Sequence, residues 1–318
     1  MIDKYGRNID YLRISITDRC NLRCSYCMPE KFKNLSHADI ISYEELFIIV
    51  EAAVKLGITK FKITGGEPFV RKGALSFIKE LKSLEGVDEV TVTTNGILLG
   101  DYVDELAAIG IDGINISLDT ADCEKYKNIT GYDGFDIVNN AIIRCCEAGI
   151  KTKINALLLD SSIYNILPIA KYAEMYKISV RYIEQMPIGQ GHKAPVSSDE
   201  LIAVLCEHYT DLKVDDRKLG NGPARYFSSK KLKGSLGVID AVSHAFCSSC
   251  NRVRLTSVGL LKPCLCYSQG VDLREVLRTE PDKLVTIMDR TIFDKPRSHC
   301  FDKIEDITEA KGMSEIGG

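Results

Sequence analysis

No run of the sequence approaches the ~20 apolar residues that a membrane-crossing helix needs. The opening residues, Met1-Ile2-Asp3-Lys4-Tyr5-Gly6, lack the basic-then-apolar layout of a secretory signal, so the chain is expected in the cytoplasm and away from membranes. Charge of one sign is also missing. Forty-one basic against 44 acidic residues leave a net charge of −3, which excludes a general nucleic-acid binder and leaves room only for a local cationic pocket. There is no internal repeat at a fixed period and no low-complexity tract. What the sequence has in excess is cysteine, 12 in 318 residues. A reducing compartment does not favour structural disulfides, and the length excludes a small disulfide-framed domain, so metal ligation is expected of at least some of these thiols.

Up to about residue 190 short β-branched runs alternate with helical periodicity. Strands are expected at Tyr11–Thr17, Lys60–Thr64, Glu89–Thr94, Asp112–Leu118, Thr152–Leu158 and Val180–Gln185. Helices are expected at Tyr43–Leu56, Ala74–Leu84, Tyr102–Ile109, Ile137–Ala148 and Ile163–Tyr176. Gly57, Gly110 and Gly149 each stand between a helix and a strand, where a left-handed cap is expected. Such alternation implies a parallel sheet covered by helices, with chemistry at the C-terminal ends of the strands. It does not separate an open doubly wound sheet from a barrel. Asp199–Tyr209 reads as one more helix, and beyond it the runs are short and turn-rich. The chain is therefore divided into residues 1–220 and a smaller α+β unit, residues 221–318.

Cys20, Cys24 and Cys27 form C-x3-C-x2-C in the loop after the first strand. A zinc site takes four protein ligands, and the nearest further candidate is His37, ten residues beyond Cys27. Three thiolates on a four-iron cluster would leave one iron open to a substrate. This triad, with Tyr26 before its last cysteine, resembles the signature of the radical S-adenosylmethionine superfamily, in which the open iron chelates S-adenosylmethionine and electron transfer releases a 5′-deoxyadenosyl radical. Gly65-Gly66-Glu67-Pro68 after the second strand resembles the superfamily's GGEP turn. The resemblance implies an incomplete (β/α)6 barrel. It also implies S-adenosylmethionine contacts from Tyr26, Gly66, Glu67, Thr93, Asn95, Ser117 and Met186, the last at the end of the sixth strand.

Cys247, Cys250 and Cys264 form C-x2-C-x13-C in the C-terminal unit. Taken alone, this run with Cys266 is close to a zinc ribbon, although Cys264 and Cys266 are too closely spaced for the usual knuckle. Arg252 and Arg254 follow at alternate positions, a pair of planar forks suited to phosphate. Arg13, Lys62, Lys153 and Arg181 put charges on expected strands, where burial is costly without an anion.

The string Phe246–Leu255 with Cys264 resembles that of the GTP 3′,8-cyclases of molybdenum cofactor biosynthesis, as do Ile129-Thr130-Gly131, Pro187–His192 and the terminal Gly317-Gly318. The resemblance implies a second [4Fe-4S] cluster on Cys247, Cys250 and Cys264, beside the first on Cys20, Cys24 and Cys27. It implies GTP contacts from Arg13, Lys62, Lys153, Arg181, Arg252, Val253 and Arg254, and catalytic roles for Arg252, Arg254, Gly317 and Gly318. Lys62 stands where arginine is common, and Cys266 is an extra thiol beside Cys264. An electron donor, cyclic pyranopterin monophosphate synthase downstream and a homodimer are the partners considered. The competing readings are a peptide-modifying radical enzyme with an auxiliary cluster and a zinc-binding sensor.

Overall fold

The computed structural model describes residues 1–28, 35–159, 163–189, 191, 195–217 and 219–317. Its first half alternates strand and helix. β1 (Tyr11–Ser15), α1 (Tyr43–Lys55), β2 (Lys60–Thr64), α2 (Ala74–Ser83), β3 (Glu89–Thr94) and α3 (Val103–Ile109) come first. β4 (Gly113–Ser117), α4 (Cys123–Thr130), α5 (Phe135–Glu147), β5 (Thr152–Leu157), α6 (Ile163–Met175) and β6 (Ser179–Ile183) complete the series. Six parallel strands pair in sequence order. The later elements are α7 (Ser198–His208), β7 (Lys213–Asp215), β8 (Arg225–Ser228), β9 (Ser235–Ile239), β10 (Arg252–Leu255), β11 (Leu260–Lys262), β12 (Val271–Asp272), α8 (Leu273–Thr279), α9 (Leu284–Phe293) and α10 (Met313–Ile316).

These later strands extend the same sheet at both edges. β10 lies parallel to β1 and carries β11 and β12, while β9 lies parallel to β6 and carries β8 and β7. Among the described residues the sheet has twelve strands and stays open, with β12 and β7 as its ends. This is the incomplete barrel with a smaller C-terminal unit that the motifs imply.

Side chains alternate across a strand, and here the alternation separates two environments. Leu12, Ile14, Phe61, Ile63, Val90, Val92, Ile114, Ile116, Ile154 and Val180 are buried in the apolar layer under the helices. The residues between them face the other way: Arg13 pairs in register with Lys62, Lys62 with Thr91, Asn115 with Lys153, and Asn155 with Arg181. Arg254 of β10 continues the row beside Arg13.

The expected helices and strands are present with ends shifted by a few residues. α1 starts on a reciprocal Ser42–Glu45 capping box. Gly57, Gly110 and Gly149 have φ of 83, 71 and 71°, the left-handed caps anticipated after α1, α3 and α5. Two expectations change. Between β4 and β5 stand two helices, because Asp122 caps an additional α4, whose polar sequence CEKYKNIT hides the apolar face made by the buried Tyr126. β6 ends at Ile183, so Met186 lies in the following loop, packed beside Ile188 and Ile316.

Candidate functional site

The loop after β1 carries the first cysteine triad and rests on the turn after β2. A Cβ on Gly65 would stand 2.6 Å from the Thr17 carbonyl oxygen, and one on Gly66 would collide with the Arg19 carbonyl. The two glycines therefore admit the backbone of the cysteine loop itself, and Gly66 N–H and Glu67 N–H donate to Thr17 and Arg19 to lock it there. Glu67 is fully buried, and its carboxylate accepts from the Thr94 hydroxyl and from the Asn95 and Phe69 amides. Burial outweighs these donors and raises its pKa to about 7.

Cys20, Cys24 and Cys27 lie near enough for their thiolates to repel one another. Burial raises all three, Cys27 to about 12; neighbouring charges, first Asp119 for Cys24 and Cys20 for Cys27, add to it, while the Leu22 amide lowers Cys20 and Ser314 lowers Cys27. Such thiols stay protonated until a metal supplies the compensating charge. Among the described residues no three His, Cys, Asp or Glu side chains converge tightly enough to hold a single ion. His37 is exposed and brings no fourth ligand. Three clustered but non-convergent thiols fit a multi-iron cluster better than zinc. Beside them Tyr26, Asn95 and Ser117 line a pocket with Cys24, Asp119 and Tyr126. The Tyr26 hydroxyl donates to Asp119 at 2.7 Å, and Asn95 reaches the Cys20 sulfur at 3.6 Å. Thr93 does not join this pocket. It lines the neighbouring cavity instead.

That cavity gathers the cations. Arg13, Lys62, Lys153, Arg181 and Arg252 line it with Tyr11, Thr91, Asn115 and Asn155. Burial lowers Lys62 well below its usual value, and Arg181, Arg13 and Lys153 lower it further. Lys153 falls to about 7 from burial and then from Arg181 and Lys151, and Arg13 falls to about 10, chiefly from burial. Arg181 donates to Asn115 at 2.6 Å and Asn155 at 2.5 Å, but its Nε and that of Arg252 are buried without a hydrogen-bond partner among the described residues. Among the described residues two carboxylates, Glu89 and Asp112, line the cavity with these cations. A polyanion would supply the missing charge and acceptors.

The second triad lies beside β10. Cys247 feels the charges of Cys264 and Cys250, while Cys266 has turned toward Cys300, with the two sulfurs 3.1 Å apart. Cys264 thus shares the field of Cys247 and also bears on Cys266, whose sulfur contacts that of Cys300. Burial raises the Cys250 thiol, but Lys295, Arg252 and Arg7 outweigh it and the group is lowered overall. Sequence reasoning missed Lys295 and Arg7. Arg7 pairs with buried Asp3 at 2.6 Å and donates to the carbonyls of Cys247, Lys295, Pro296 and Arg297. Neither residue carries a motif, and only the fold brings the N-terminus to this loop.

The C-terminal segment enters between the triads. Ser314 hydrogen-bonds to Cys27, Ile316 is fully buried, and the Arg254 guanidinium donates to the Gly317 carbonyl at 2.7 Å. Gly317 has φ 73°, and a Cβ there would lie 2.9 Å from that of Ser15. Gly318 lies outside the described residues.

The radical SAM superfamily model matches residues 14–163, and the Molybdenum Cofactor Synthesis C model matches residues 178–301. The chain is 40% identical over 323 residues to a GTP 3′,8-cyclase of Clostridium perfringens (strain 13 / Type A), covering all of both chains. It is 40% identical over 331 residues to one of Petrotoga mobilis, again covering all of both, and 39% identical over 327 residues to one of Geobacter sulfurreducens, covering 100% of this chain and 99% of that one. Among solved structures, Streptococcus suis SuiB bound to S-adenosylmethionine superposes with TM-score 0.69 at 16% identity, covering 96% of this chain and 76% of SuiB. Native anSMEcpe with bound AdoMet gives 0.61 at 17%, covering 92% and 82%. These two likenesses concern the fold.

Proposed function

The chain belongs to the GTP 3′,8-cyclase family of radical S-adenosylmethionine enzymes, and from that premise we propose how its own residues divide the work. It converts GTP to (8S)-3′,8-cyclo-7,8-dihydroguanosine 5′-triphosphate, the first step of molybdenum cofactor biosynthesis, with two [4Fe-4S] clusters and S-adenosylmethionine. When bound, the N-terminal cluster with S-adenosylmethionine would supply the radical chemistry that removes the ribose C3′ hydrogen atom and lets C3′ bond to guanine C8, and one electron from the external donor with one proton would then complete the 7,8-dihydro product.

Cys20, Cys24 and Cys27 hold the first cluster, while Tyr26, Gly66, Glu67, Asn95 and Ser117 shape the adjoining pocket for S-adenosylmethionine. Met186, also proposed for S-adenosylmethionine, packs with the Ile188–Ile316 cluster and does not line this pocket. Cys247, Cys250 and Cys264 hold the second cluster. Arg13, Lys62, Lys153, Arg181, Arg252 and Arg254 bind the nucleotide, with Val253 between the last two. Thr93, which faces the same cavity, is proposed for the nucleotide as well. Gly317 brings the tail against Arg254, where it fixes the guanidinium and helps exclude water, and a catalytic role is proposed for Gly318 with it. The observation that carries this assignment is the row of inward cations on the concave face of the sheet, beside the two triads.

We also propose residues 1–220 and 221–318 as the functional division, a cytoplasmic location, an external electron donor, a homodimer, and cyclic pyranopterin monophosphate synthase as consumer of the product. No helix among the described residues is long and apolar enough to cross a membrane. The deciding assay incubates reconstituted protein anaerobically with S-adenosylmethionine, a strong reductant and each nucleoside triphosphate in turn. The expected result is 5′-deoxyadenosine that rises with GTP and a product isomeric with GTP. Deoxyadenosine without nucleotide consumption would sink the substrate assignment.

A further inference from the structure

Part of the wall of the cation-lined cavity is Asn221–Pro223 of the turn Leu219–Pro223, which belongs to neither triad and to no strand. Asn221, Gly222 and Pro223 line both this cavity and an outer hollow of about 290 Å³ that also contains Lys60, Arg217 and Arg252. The turn therefore partitions the two spaces. It also touches the cavity's most adaptable cation, because Lys153 Nζ donates to the Leu219 carbonyl at 2.5 Å.

Gly220 explains how the ammonium gets there. A Cβ on Gly220 would fall on Lys153 Nζ, and its next nearest atoms would be Lys153 Cε at 3.7 Å and Tyr226 Oη at 3.8 Å. Its backbone is not left-handed. The space beside this glycine is the one that the ammonium fills, so a methyl there would displace the end of a flexible side chain rather than backbone. A lysine stem is flexible and its ammonium carries three donors. Tying one donor to a fixed carbonyl leaves two for a ligand and removes part of the ordering cost of binding.

We propose that the turn Leu219–Asn221 is a positioning element for the nucleotide phosphates, in which the Leu219 carbonyl aims the Lys153 ammonium into the cavity and Gly220 leaves it room. This rests on the reading that Lys153 takes a phosphate oxygen of GTP. Lys153, lowered to about 7 by its buried cationic surroundings, regains a full charge when an anion arrives beside it.

The test is a double-mutant cycle, read as GTP dissociation constant by equilibrium dialysis and as KM and kcat. Gly220→Ala moves the ammonium without obstructing the backbone. It is expected to weaken GTP binding and raise KM about tenfold, the scale of one charge-assisted hydrogen bond, with kcat changed less than about twofold. In a Lys153→Ala background the same change is expected to have no further effect. An equal loss in both backgrounds overturns the proposal. Unchanged binding in Gly220→Ala, with loss in Lys153→Ala, overturns the role of the turn and leaves the phosphate reading intact. Unchanged binding in Lys153→Ala overturns that reading and the inference with it. Should Gly220→Ala alone lose structure, the double variant is expected to regain it, since the clash is with the lysine, and failure to do so also overturns the proposal.

Discussion

Burial sets the chemistry of individual groups here, and its sign differs for cations and thiols. Lys153 and Lys62 are both depressed, so near pH 8 the free protein holds Lys153 mostly as the neutral amine. GTP phosphates favour the ammonium and return both groups toward their usual values. Binding near pH 8 is therefore expected to take up protons. Calorimetry in buffers of different ionisation enthalpy checks this, and proton release would contradict it. The same depression costs stability. Between about 7 and 10.5 the unfolded chain binds more protons at Lys153 than the folded one, so the unliganded protein should gain stability as pH rises through that window. Among the thiols, Cys264 shares the field of Cys247 whereas Cys266 faces Cys300. Cys264→Ser is expected to lose about half of the bound iron, the share of one of two equal clusters, while Cys266→Ser and Cys300→Ser retain it. Iron and sulfide analysis of anaerobically reconstituted protein distinguishes these outcomes.

At the scale of elements, close approach matters more than side-chain chemistry. The Gly65-Gly66 turn is the seat of the cysteine loop, since a methyl at Gly66 would meet the Arg19 and Asp18 backbone rather than a flexible side chain. Gly66→Ala is expected to unseat that loop and abolish assembly of the first cluster while sparing the second. Spectroscopy of a Cys264→Ser background isolates this signal. The tail is the other such element. Gly317 needs φ 73° and stands against Ser15, so alanine there is strained and displaces the carbonyl that Arg254 grips. Gly317→Ala is expected to reduce GTP cyclisation about 100-fold, the cost of misplacing a catalytic arrangement by about an ångström. Deoxyadenosine formation should fall much less, which mass spectrometry of both products resolves.

The whole molecule is organised by one continuous sheet, with a main apolar core and a second, small cluster around Ile188, Leu265, Phe301 and Ile316. β10 covers the free edge of β1, and β9 covers that of β6. A chain cut after residue 220 would expose unpaired backbone along both edges, a template for association. Expressed alone, residues 1–220 are expected to aggregate, and size-exclusion chromatography checks this; a stable monomer would contradict it. The continuity also has a functional consequence. Because β10 joins β1 in parallel, Arg252 falls beside Tyr11 and Arg254 beside Arg13, and Arg252 joins Arg13, Lys62, Lys153 and Arg181 in lining one cavity.

The sequence by itself determined the alternating strands and helices, both cysteine triads, the GGEP turn and the presence of cations on the strands, while only the fold decided that these share one cavity. The former are local signals: side-chain period, glycine punctuation and ligand spacing depend on neighbours a few residues apart. It did not disclose that Gly66 makes room for the cysteine loop, that Thr93 faces the cation cavity, or that Cys266 pairs with Cys300. Nor did it indicate that Arg7 braces the second triad or that Gly220 accommodates Lys153. Each of these is a contact between segments far apart in the chain, with no composition or period to mark it. Tertiary structure alone decided them, because only packing sets which distant atoms compete for the same space and which buried charges share the same field.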